Sequence, residues 1–480
     1  MRPLSPIAAA GALLALAALT IPAAAQSDVG RFERQLERMQ RDTRMRADQS
    51  VSADQRALFD WGGYLSLNYL SVDDQDGTNR GLRQYDLVAY ARLNLDGVHD
   101  FYASVRSTWQ DFNPGDSFDG EGDDYIGELD RLYYKFDLAR YYAAYKGEKI
   151  DFNLVFTGGR QLVYWANGLV LSQVLDAAVV DLEVGPFELE VLAAITPTRT
   201  VDFDSSRPHF DDHTRRGFYG AMLSAKTGTH KPYAYALFQQ DYNHDDTLSL
   251  GIIDTRFEYY SYYLGFGSTG SIGDRLLYGI EAVYEGGSTK SNSFEPDTFF
   301  PQDQTEDDIQ AWAVDFRLDY LFNDRRKTRL SFETIVASGD ADRLNANNTF
   351  GGNAPGTKDN GFNAFGLLNT GLAFAPAVSN VAIVRFGATT FPFPDHHRLS
   401  RLQVGADFFV FAKTRQNGAI DEPTTSDGHY LGVEPDVYLN WQVTSDVTLT
   451  LRYGVFFPNS DVVVSDDVRQ FVFGGLTFSF

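Results

Sequence analysis

The sequence predicts an all-β protein: a single closed antiparallel transmembrane β-barrel of about 18 strands, with a short N-terminal helical periplasmic segment before it. Three observations lead there. From about residue 61 to Phe480 apolar residues recur with a period of two. The links between these strands alternate long and short. Beyond the N-terminal stretch no run approaches the roughly 18 apolar residues of a membrane helix, and mean hydropathy is -0.28. The 26 Tyr and 37 Phe make the chain aromatic-rich yet polar on average, as alternating strands do.

Composition removes several function classes. The net charge of -24, from 65 acidic and 41 basic residues, argues against a nucleic-acid partner, which needs a basic footprint. With no cysteine there is no disulfide framework, thiolate metal site or cysteine nucleophile. No GxSxG and no P-loop pattern occurs. The chain is therefore expected to be no enzyme and to need no cofactor.

Residues 1–25 read as a signal peptide: Arg2, an Ala/Leu run over about 7–21, then Ala23 and Ala25 before Gln26. Residues 26–60 form the helical lead-in, in which Val29, Phe32, Leu36 and Met39 fall at helical spacing among charges. A polar periplasmic segment is the plainer reading, and a short coiled coil the sharper one.

The barrel is expected over 61–480, with strands at about 61–72, 83–95, 100–112, 128–137, 149–163 and 177–185. They continue at 188–196, 216–226, 231–242, 255–268, 274–286 and 308–321. The last six are 327–338, 380–393, 398–413, 431–444, 447–458 and 468–480. In HDFYASVRSTWQDF, Phe101, Ala103, Val105 and Trp109 share one face while Tyr102, Ser104, Arg106 and Thr108 share the other. One apolar and one polar face per strand fits a sheet wet on one side. Short links include LDGVHD, VGP, TGSIGD and PDHH; the longest spans about 339–379. Outer-membrane barrels have an even strand count, short periplasmic turns and long outer loops. Segment 364–376 is assigned to the longest link, since another strand would break the parity. That link is Gly- and Asn-rich; a surface loop is the default, and an inward constriction the alternative.

In lipid every backbone polar group must be satisfied within the protein, so the last strand must pair with the first. That explains an aromatic strand running to Phe480, and makes this residue the expected signal for the barrel-assembly machinery. The other expected partners are outer-membrane lipid and lipopolysaccharide. Oligomeric state stays open.

If apolar residues face lipid, the opposite parity lines the lumen. The basic lumen candidates are Arg92, Arg106, Arg131, Lys135, Arg317, Arg329, Arg385, Arg401 and Arg452; acids on that face include Asp86, Asp137, Glu281, Asp315, Asp319, Glu333 and Asp407. A cation at mid-depth on the lipid face would cost roughly 2–4 kcal/mol. Opposite charges on neighbouring strands can stiffen the wall as ladders, or surplus arginines can form rings that select anions. Both readings stand.

The stretch FTGGRQLVYWANGLVLSQVLDAAVVDLEVGPFELEVLAAI resembles the alginate export family of outer-membrane barrels. RQYDLVAYARLNLDGVHDFYASVRSTWQDFNPGDSFDG and IVASGD fit the same resemblance. It implies export of an anionic polysaccharide through an arginine-lined lumen gated by an outer loop and a periplasmic turn. By motif match it also implies that Arg160, the arginine of GRQ, points inward. The expected function is a passive outer-membrane channel for anionic saccharides or polysaccharide, with a general diffusion porin for small polar solutes as the alternative. An enzyme with a rim site and a plugged structural barrel are further alternatives. In an outer link, HFDDH at 209–213 gathers His209, Asp211, Asp212 and His213, which could hold a divalent cation, although a solvated acidic loop is the expectation.

Overall fold

Backbone pairing carries the architecture. The computed structural model describes residues 31, 34–36, 38–39, 57–117, 124–243, 247–295, 298 and 300–480. The expected signal peptide and most of the lead-in lie outside them. The first half of the chain holds β1 (Ala57–Asp73), β2 (Asn79–Leu95), β3 (His99–Phe112), β4 (Asp124–Asp137), β5 (Phe152–Tyr164), β6 (Ser172–Val184), β7 (Phe187–Ile195), β8 (Arg216–Ala225), β9 (His230–Asp241) and β10 (Thr247–Leu250). The second holds β11 (Ile253–Arg256), β12 (Tyr259–Ile272), β13 (Leu276–Lys290), β14 (Glu306–Leu321), β15 (Arg329–Ala337), β16 (Val381–Thr390), β17 (Leu402–Lys413), β18 (Tyr430–Gln442), β19 (Val447–Pro458) and β20 (Arg469–Ser479).

Eighteen of these strands form one sheet, each antiparallel to its neighbours; β10 and β11 make a separate hairpin in the link from β9 to β12. The sheet closes where β1 pairs with β20 from Tyr64↔Ser479 to Val72↔Phe471. Phe480 completes the seal, exchanging two 3.0 Å backbone hydrogen bonds with Gly63. The terminal aromatic strand thus meets the closure requirement of a lipid-embedded sheet. Segment 364–376 forms no strand, and the eighteen-strand parity holds.

Alternation is clear along the wall. On β3 the outward Phe101, Val105 and Trp109 are exposed, while Ser104 and Arg106 are buried. Two aromatic rows bound the outward apolar band: Trp109–Tyr125 (centroids 5.1 Å apart) at the long-link end and Phe101–Tyr134 (4.9 Å) at the short-link end. Such girdles mark the two membrane interfaces. No helix among the described residues is long and apolar enough to cross a membrane.

The longest link does not lie on the surface as the default reading had it. Phe362, Phe365 and Phe374 are buried, and Phe374 stacks on the inward Phe456 at 4.2 Å. Residues 338–380 supply apolar surface that an empty lumen cannot cover, and the inward faces of β17 and β19 supply Phe411 and Phe456 to receive it.

Candidate functional site

The links from β5 to β6 and from β15 to β16 enter the lumen, each held by inward carboxylates. At the tip of the β5–β6 hairpin, the Trp165 indole N–H donates to Glu190 (2.5 Å). The Asn167 backbone N–H donates to Glu281 (2.9 Å), and its side-chain amide to Asp315 (3.0 Å). Glu285 accepts from the Asn363 N–H (2.9 Å) and the Tyr259 hydroxyl (2.7 Å). Glu434 accepts from the backbone N–H groups of Leu372, Ala373 (2.8 Å) and Phe374 (2.8 Å). Glu285 and Glu434 stand on β13 and β18, well apart around the ring, and Phe365 bridges to Leu171 beside β6. The long link therefore crosses the lumen. A carboxylate buried without an arginine finds loop amides instead, which also satisfies backbone that would be orphaned inside the barrel.

The described helical residues join this assembly. Arg34 pairs with Asp421 (2.8 Å) and Arg31 with Glu422 (3.3 Å). Arg38 donates to the carbonyls of Gly371 (2.7 Å) and Leu368, and Gln35 to that of Leu372. Leu36 and Met39 are buried beside Leu70, Leu82 and Phe473 on the inner wall. A lead-in expected in the periplasm thus presents these six residues inside the barrel. Helical periodicity identifies the segment, but its arginines find their partners on links more than 300 residues away.

The basic candidates sort clearly. Arg92 forks onto Asp100 (2.9 and 2.7 Å), and Arg106 lies 3.4 Å from Asp86 and 3.8 Å from Glu128. A bulge opposite Ser104 and Val105 brings Arg131 onto the inner face, 4.0 Å from Asp130, and Lys135 follows on that face opposite Asp100. A continuous ladder runs across four strands. Arg317 meets Asp315 (2.8 Å) and Glu333 (2.6 Å); Arg385 meets Glu333 (2.7 Å) and Asp407 (3.3 Å). Arg329 lies 3.7 Å from Asp319, and Arg452 sits over the Tyr438 ring at 5.6 Å. Arg401 lies in the turn before β17, exposed at the periplasmic end, rather than within a strand.

Arg160 departs from expectation. Pairing with β6 runs without a slip from Phe152↔Val184 to Tyr164↔Ser172, and Thr157 faces inward. Gly159 is therefore inward and Arg160 outward, opposite the exposed Leu132. The wall tolerates this cation because Asp176 accepts two of its N–H bonds (2.8 and 2.9 Å), which neutralises the pair. Gly159, at φ 124, supplies a backbone geometry that only glycine adopts readily, but it does not shift the register.

Glu190, Glu285 and Glu434, which hold the inward links, were not among the expected lumen acids. Their inward parity was readable; their partners, being backbone amides of distant links, were not. In the outer link between β7 and β8, His213 (2.7 Å) and His209 (3.5 Å) both approach Asp212, with both histidines exposed.

Comparison with known proteins agrees with the geometry. Three solved outer-membrane structures share the fold. OccK8 (OprE) of Pseudomonas aeruginosa has a TM-score of 0.52 at 11% identity, covering 88% of this chain and 98% of its own. OpdQ of the same organism has a TM-score of 0.51 at 11% identity, with the same coverages. OccAB2 of Acinetobacter baumannii has a TM-score of 0.50 at 12% identity, again covering 88% and 98%. No curated protein matches the sequence. The family model described as alginate export matches residues 132–463. The closed eighteen-strand wall and its lumen are those of an outer-membrane channel for passive transport, and the chain belongs to the alginate export family.

Proposed function

We propose that this channel passes anionic saccharides or polysaccharide, which it takes up from the periplasm at a basic vestibule below the inward links. One observation supports this reading above the others. On the short-link side, consecutive strands β14, β15 and β16 present Arg317, Arg329 and Arg385 with side chains 20–45% exposed. Arg452 continues this face on β19, over the Tyr438 ring. A planar guanidinium suits carboxylate recognition, and several weak sites in series let an anion enter and leave. Movement down a gradient then requires the inward links and the helix to shift.

A second reading, a general diffusion porin for small polar solutes, is favoured by the Arg317–Glu333–Arg385–Asp407 ladder, whose carboxylates cancel much of the basic charge. Planar-bilayer recording under a salt gradient separates the two. The anionic reading expects a reversal potential on the anion side and block by an oligouronate added at the short-link face, with no block by a neutral oligosaccharide. A reversal potential at zero, with both sugars equivalent, would leave the general porin.

A further inference from the structure

The ladder between β4 and β5 covers only the lower part of the wall. It runs from Asp137↔Val155 to Leu132↔Arg160 and stops there. Pairing of β4 with β3 continues up to Asp124, and pairing of β5 with β6 up to Tyr164. Above Leu132 and Arg160, residues 124–131 and 161–164 therefore face each other across a seam with no ladder pairs between them among the described residues. Inside the barrel, the β5–β6 tip above the seam is held by Glu281 and Asp315 on β13 and β14.

The seam lies within the membrane. Leu132 is two residues above Tyr134 of the lower aromatic row, and Tyr125 belongs to the upper row. The open stretch thus spans the half of the apolar band nearer the long links, which faces the outer leaflet. Non-helical backbone at this depth is tolerated only where protein covers it or where it lines a wet cavity. At the foot of the seam Arg160 donates to the Leu129 carbonyl (3.1 Å), part of the β4 edge. Directly below, an apolar groove on the outer face is lined by Phe59, Leu93, Phe101, Leu132, Tyr134 and Gly158.

We propose that this seam is a lateral portal by which a single-chain fatty carboxylate passes between the bilayer interior and the lumen. The groove takes the acyl chain. Arg160 takes the head, because its guanidinium already holds the Asp176 carboxylate in a two-bond fork that another carboxylate can replace. The proposal does not depend on the cargo read for the main channel.

The test uses the full chain in lipid nanodiscs with a diazirine-bearing palmitic acid, followed by mapping of the labelled residues. Labels are expected on the inward Glu128 and Gln161 as well as on the lipid-facing Val105. Arg160→Gln should reduce the inward labels about tenfold or more, the loss of roughly one charge-assisted hydrogen bond, and leave Val105 unchanged. Labels confined to lipid-facing side chains, or inward labels insensitive to Arg160→Gln, would overturn the portal. Spin labels at Leu129 and Val105 give a measurement that leaves Arg160 intact. A water-soluble nickel chelate should reach Leu129 and not Val105, whereas equal protection of the two positions means a closed wall and ends the proposal.

Discussion

The two halves of the lumen use the same charged residue types for opposite ends. Towards the short links, acids and arginines on neighbouring strands answer one another: Arg92 with Asp100, Arg317 with Glu333, Arg385 with Asp407. There Arg317 and Arg385 keep partly exposed guanidiniums facing water. Towards the long links, Glu285 and Glu434 have turned from side-chain cations to loop amides, and they hold protein inside the barrel. An inward carboxylate therefore does not by itself mark a selectivity element. Its partner decides whether it lines a path or anchors a plug.

Four experiments put that contrast at risk. The largest effect is expected from deleting residues 26–50, which removes Arg31, Arg34 and Arg38 from Asp421, Glu422 and the long link. Single-channel conductance should rise about tenfold, approaching the aqueous pore that such a strand number permits; unchanged conductance would mean that the helix does not obstruct the path. Next comes Glu434→Ala, which leaves three backbone donors without their acceptor. At about 1–3 kcal/mol for each unsatisfied buried group, the link should loosen, and current traces should show frequent openings that the parent lacks. Quiet traces would instead locate the anchoring elsewhere.

The lower half is tested by charge. The double change Arg329→Glu, Arg385→Glu should lower the anion-to-cation permeability ratio about threefold, since charged rings set selectivity, with conductance little altered. A ratio that does not move would remove the vestibule from the account. The smallest effect belongs to Tyr438→Leu. It takes away the ring beneath Arg452, a contact worth about 0.5–1 kcal/mol at an exposed site. The ratio should then shift by less than about twofold, and a larger change would place Arg452 at the narrowest point.

Much of the wall was legible in advance. Period-two alternation gave the inward parity of Arg92, Arg106, Arg317, Arg329, Arg385 and Arg452, because a one-residue slip would turn every apolar side chain away from lipid. Arg131 keeps its inward place only through a bulge, which no spacing in the chain announces. The motif resemblance implies an inward Arg160. Counting from Thr157 through two glycines puts it outward, where Asp176 makes the position tenable.

The strands, their parity and their closure at Phe480 follow from local alternation and from the absence of water around the backbone in lipid, and so can be read along the chain. What fills the cylinder, and where its wall parts, emerges with the closed fold. Both depend on meetings between residues far apart in the chain: Glu434 with the amides of 372–374, Arg34 with Asp421, and Asn167 with Asp315. Such pairings are selected by the geometry of the closed ring, which places opposite walls within reach of one another, and no periodicity along a single strand encodes that distance.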